Sequence, residues 1–143
     1  MYESLDLERG GSRIKAAANG NRKMEILFKN IGIFPLAEPV VFSGAAPTRQ
    51  LLDLQIEVNQ RLADGPPGMN GPYFTPRSWT ADCQLTAGIT RERLFEAVST
   101  AMEMPLPLTG TLDEIGLAEF HSAKRLFAFP FAQYSPPVMN RKE

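Results

Sequence analysis

Few residues in this chain could carry chemistry, and the most prominent stands in the segment WTADCQLTAGI, residues 79–89. There Asp82 precedes Cys83, Leu85 and Ala87, which alternate as a strand does. A carboxylate in that place could be catalytic, could cap the strand, or could mark where a different residue belongs. His121 is the sole histidine, which removes paired-imidazole acid/base chemistry within one chain and any two-histidine metal site. A Ser-His-Asp arrangement would have to use it, and no nucleophile-elbow spacing lies nearby. Asp113 and Glu114 are adjacent and so point to opposite sides of a strand, and Glu114 and Glu119 also diverge. These carboxylates are expected to face solvent. Neither a P-loop nor a dinucleotide-binding glycine pattern occurs. Gly65, Gly68 and Gly71 are interleaved with prolines, which lack the amide donors a phosphate cradle needs. The single Cys83 rules out an internal disulfide and a cysteine-cluster metal site, and reads as a small buried hydrophobe. No metal and no cofactor is expected.

These residues depend on the elements around them. Residues 3–18 have a partial helical pattern through Leu5, Leu7 and Ile14, interrupted by Gly10-Gly11, which cost a helix roughly 2 kcal/mol relative to alanine. A weak helix is expected, ended by Asn19-Gly20-Asn21. Met24, Ile26 and Phe28 alternate with Glu25, Leu27 and Lys29 as in a half-buried strand. Two further short β segments come next, broken by Pro35 and Pro39, the second over Val40–Phe42. Leu51, Leu54 or Gln55, Val58 and Leu62 recur at helical spacing within residues 48–63, with Thr48 as N-cap. Residues 64–78 carry four prolines and three glycines without a period and read as a long loop.

After the Asp82 strand, Thr90 is placed to cap another helix, with Glu92 in its first turn and Leu94, Val98 and Met102 on one face. Residues 106–112, 114–121 and 124–131 predict three short strands, and the polar tail 133–143 is expected to fray. The fold class predicted is α+β, with antiparallel sheets and two to three helices in one domain over residues 1–132.

Composition narrows the function classes. A chain of 143 residues can close a core without metals or disulfides. A net charge of −1 argues against a strongly basic nucleic-acid binder. Charge is uneven, with six bases and one acid from Arg9 to Lys29, and four acids and no base from Glu103 to Glu119. No run is long enough to span a bilayer, and the charged opening residues lack a signal-peptide core. A soluble cytoplasmic protein without a membrane partner is the expectation.

Four segments in order, FKNIGIFP (28–35), VVFSGAAPTRQLLDL (40–54), RSWTADCQLTAGIT (77–90) and LPLTGTLDEIGLAEFHSAKRLFAFPF (106–131), resemble the 2H phosphoesterase superfamily. The likeness is to its bacterial 2'-5' RNA ligase-like and RNA 2',3'-cyclic phosphodiesterase proteins. It implies two α+β lobes around a cleft, each offering a His-x-Thr/Ser motif on a strand. One imidazole would activate water or a hydroxyl, the other would protonate the leaving oxygen, and the hydroxyls would hold phosphate oxygens.

In this sequence the second motif falls at Asp82-Cys83-Gln84-Leu85, with Asp82 in the histidine position, Gln84 in the hydroxyl position and Ala81 where the family has proline. The first motif is absent, and MYESLDLERG resembles the strand end and the helix that succeed that motif in the family. The resemblance therefore implies an incomplete two-lobed fold. A carboxylate with an ordinary pKa of about 4 is ionised at neutral pH, serves poorly as a general acid and repels a phosphodiester.

The losses at both motif positions argue against enzyme activity. The resemblance implies a pseudoenzyme, a degenerate 2'-5' RNA ligase or cyclic phosphodiesterase-like domain, with weak binding of nucleotides or RNA ends bearing cyclic phosphate. Arg77, Tyr73 and Phe74, in the loop before the strand, are the candidate substrate contacts. A second reading keeps a residual phosphoesterase with Asp82 as base. A third is a structural or interaction protein, a homo-oligomer joined through exposed sheet edges.

Overall fold

The computed structural model of the chain describes residues 4–63, 78–119 and 124–132. Helix α1 spans Ser4–Gly20 and is followed by strands β1 (Met24–Phe34) and β2 (Val40–Ala45). Helix α2 (Arg49–Leu62) and strand β3 (Asp82–Gln84) come next. A 3-10 turn at Arg91–Arg93 leads into α3 (Leu94–Ala101), and the strands β4 (Leu108–Leu112), β5 (Glu114–Ala118) and β6 (Arg125–Pro130) complete the order. The first sheet runs β3-β2-β1-β4 and the second pairs β5 with β6, every strand pair being antiparallel. The α+β expectation holds, with three α-helices among the described residues.

Gly10-Gly11 does not interrupt α1, contrary to expectation. Both glycines are buried, and a Cβ on Gly11 would stand 3.5 Å from the Phe127 ring of β6. The glycines let the helix lie close over the second sheet, while Ile14, Ala17 and Ala18 bury the same side of it. That burial outweighs the propensity cost, as tertiary packing routinely does. The helix ends where expected: the Asn21 side chain donates to the Ala17 carbonyl and to the Glu57 carboxylate of α2.

The apolar phase in β1 changes along its length. Met24, Ile26 and Phe28 share one face, but the continuing aliphatic pair is Ile31 and Ile33, one residue out of step. A bulge between Phe28 and Asn30 absorbs the extra residue, so Ile31 and Ile33 return to the face of Met24 and Ile26. This lets β1 run unbroken to Phe34, joining the first of the two short segments expected after residue 30. Opposite it on β2, Val41 and Ser43 are fully buried, and the Ser43 hydroxyl donates to the Asn30 carbonyl.

The core forms where α1, α2 and the inner face of the first sheet meet, from Ala18, Met24, Ile26, Leu51, Leu54 and Phe131. Helix α2 begins as its sequence dictates: the Thr48 hydroxyl accepts from the Leu51 N–H at 3.1 Å. The other expected cap is not made. Thr90 precedes the 3-10 turn without a side-chain hydrogen bond, and Met102 lies 72% exposed rather than on a buried face. Among the described residues no helix is long and apolar enough to cross a membrane.

Candidate functional site

Strand β3 is an edge of the first sheet and shorter than its alternation suggests. It stops at Gln84 because the chain beyond it pairs irregularly. The N–H groups of Leu85 and Thr86 both donate to the Val41 carbonyl, and the Thr86 hydroxyl takes the Val41 N–H in place of a backbone acceptor. Gly88, at φ 63°, then turns the chain away. Leu85 and Ala87 therefore lie outside the strand.

Within β3 the register is Asp82 opposite Gly44, Cys83 opposite Ser43, and Gln84 opposite Phe42. Since facing residues share a side of the sheet, Asp82 and Gln84 project from one face and Cys83 from the other. Cys83 is exposed, correcting the buried reading, because an edge strand of three residues gives it too little cover.

The Asp82 row continues across two strands. Gly44 pairs with Asn30 on β1, and the Asn30 side-chain oxygen accepts from the Gly44 N–H at 3.1 Å. A Cβ on Gly44 would stand 2.1 Å from that oxygen, so the glycine is what lets the Asn30 amide fold over β2. Asp82, Gly44 and the Asn30 amide thus form one row, about 10 Å from first strand to third.

The next row holds Gln84, Phe42 and Gly32. The Phe42 ring lies over Gly32 and stacks on Phe34 with centroids 4.3 Å apart. An apolar ring pair therefore adjoins the polar row. At the far edge Thr109 and Thr111 of β4 share this face, through Leu27 and Glu25 of β1.

Asp82 and Gln84 differ in availability. The Gln84 amide is partly held by its own chain, its Nε2 donating to the Thr86 carbonyl at 2.7 Å. Asp82 keeps solvent exposure, yet partial burial desolvates its carboxyl and raises its pKa above the ordinary value. Desolvation favours the neutral acid, so Asp82 loses its charge at a higher pH than a free carboxylate. A lone carboxyl of this kind can accept or deliver one proton, but no second titrating group stands beside it in its row.

The loop candidates Arg77, Tyr73 and Phe74 lie outside the described residues, as do His121 and the tail 133–143. The Glu114 carboxylate pairs between β5 and β6 with the Arg125 guanidinium. Among the described residues, no group of three His, Cys, Asp or Glu side chains could hold a metal ion. Sequence reasoning missed Asn30, Phe34 and Phe42. The signal for them was the phase change around residue 29, which demands a bulge and brings Asn30 and Phe34 to the face opposite Ile31 and Ile33. No protein-family model matches the chain, and a comparison with curated proteins finds no match either.

Proposed function

We propose that this chain is a degenerate 2H-phosphoesterase-like domain that binds nucleotide or RNA ends bearing a cyclic phosphate weakly and does not turn them over. One observation carries the reading: Asp82 and Gln84, at the two working positions of a His-x-Thr-like segment, project from the same face of an edge strand. That is the side-by-side presentation a phosphate-handling pair requires, with residue types that cannot perform the task. The carboxylate repels phosphate where an imidazole would protonate it, and the Gln84 amide, one N–H of which goes to the Thr86 carbonyl, is longer than a hydroxyl side chain and places its remaining donor differently.

What remains for a ligand on this face is modest. The Asn30 amide, the hydroxyls of Thr109 and Thr111, and the edge of the Phe34–Phe42 pair are neutral groups, and Glu25, opposite Thr111, adds a second carboxylate to the face. Weak binding is the consequence, because neutral groups offset little of the cost of desolvating a phosphate.

The test is a titration of a 2',3'-cyclic nucleotide into the protein by NMR, comparing the native chain with Asp82→Asn. The substitution removes a negative charge and should tighten binding about threefold to tenfold at pH 7. Because the Asp82 pKa is raised, its charge disappears as pH falls through that value, so native binding should improve on acidification. The advantage of Asp82→Asn should shrink over the same interval. Equal binding by both proteins at pH 7 would mean that the phosphate is not held beside Asp82.

A further inference from the structure

Strand β4 has the composition of a self-complementary edge. It reads Leu108-Thr109-Gly110-Thr111-Leu112, the same in both directions. Among the described residues it pairs with β1 on one side only, and the register there is uninterrupted. Edge strands are ordinarily protected against further pairing by charge, proline, a bulge or a covering element. Residues 108–112 contain no charge and no proline, and the strand has no bulge.

The hydrogen-bond directions in β1 decide which groups of β4 point outward. The Leu27 carbonyl accepts from the Ala46 N–H, so Leu27 directs its polar groups toward β2. Its neighbours Ile26 and Phe28 then direct theirs toward β4, at Gly110 and Leu108. It follows that Thr109 and Thr111 turn their N–H and C=O groups away from the sheet.

We propose that β4 pairs with β4 of a second copy of this chain, antiparallel about a two-fold axis at Gly110. In that register each Thr109 lies opposite the partner's Thr111, and the outward groups of the two residues close four backbone hydrogen bonds. Gly110 faces its own copy at the closely spaced position, where the Cα atoms approach to about 4.5 Å and the lack of a side chain removes any clash. Threonines meet on one face and leucines on the other, both favourable cross-strand pairings. Leu108, 44% exposed in the single chain, gains cover from the opposing Leu112. Asp113 falls opposite Pro107 rather than another acid, so no like charges meet. A heterologous partner would have no reason to match a palindrome; a second copy matches it by symmetry. The contact is small beside a standard interface of about 1,600 Å², so the association is concentration-dependent.

Sedimentation velocity of the full chain from about 1 µM to 1 mM should show a reversible monomer–dimer equilibrium. Thr109→Lys with Thr111→Lys sets like charges against each other and should raise the dissociation constant at least tenfold. Mixing that variant with Thr109→Glu, Thr111→Glu should restore a dimer. Register is read separately in a Cys83→Ala background, where Gly110→Cys should oxidise to a cross-linked dimer and Leu108→Cys should not. The Gly110 position tolerates a side chain, since an added Cβ would stand 3.7 Å from Ile26, an ordinary contact. A monomer at every concentration overturns the proposal. So does a dimer indifferent to the lysine pair, or equal cross-linking of the two cysteine variants.

Discussion

Phe131→Ala is expected to destabilise the fold by about 3–5 kcal/mol, measured as a loss in the free energy of chemical denaturation. Phe131 is 3% exposed and touches the cluster formed by Ala18 of α1, Met24 and Ile26 of β1, and Leu51 and Leu54 of α2. It comes directly after β6, and its N–H donates to the Asp113 carbonyl between β4 and β5. One ring therefore joins the second sheet to the core of the first. Truncation leaves a void that α1 and α2 cannot close together, because each is also held elsewhere: α1 against β6 at Gly11, α2 at its Thr48 cap. A small domain has about 5–15 kcal/mol of stability in all, so the substitution should bring the chain close to unfolding at 37 °C.

Gly32→Ala is the second large effect, with an expected loss of about 1–3 kcal/mol in the same measurement. A Cβ there would stand 2.3 Å from Cζ of Phe42 and within 3 Å of two further ring carbons. The ring has no easy escape, being 8% exposed and stacked on Phe34. Gly11→Ala serves as the opposite control. Its Cβ would meet Phe127 at an ordinary 3.5 Å inside a helix, where alanine gains roughly 0.5–1 kcal/mol over glycine. The two substitutions are chemically identical and should differ in sign, which separates close packing from conformational freedom as the reason for each glycine.

Much of the fold is legible in the sequence where a local signal and the tertiary demand agree. Thr48 followed by Leu51, Leu54 and Val58 predicts α2 and its cap, and both are present. The three short C-terminal strands are equally plain, because β4 and β5 alternate, β6 is a short apolar run, and polar residues separate them. The failures share a physical cause, namely that a distant segment changes the local choice. Gly10-Gly11 looks like a helix break until Phe127 is brought against it. The segment after Gln84 looks like a strand until a threonine hydroxyl replaces the backbone partner of Val41.

The candidate site was only half legible. The face shared by Asp82 and Gln84 can be read from strand periodicity alone. The Asn30 amide folded over Gly44, and the Phe42 ring over Gly32, depend on cross-strand pairings that residue spacing does not specify.

Hydrolysis of a 2',3'-cyclic nucleotide by the purified chain tests most directly the proposal that Asp82 and Gln84 of β3 cannot catalyse. The native protein should show no turnover above the buffer rate at any pH from about 5 to 8. Turnover by the native protein that disappears on Asp82→Asn would contradict the account and make Asp82 the general base of an active phosphoesterase.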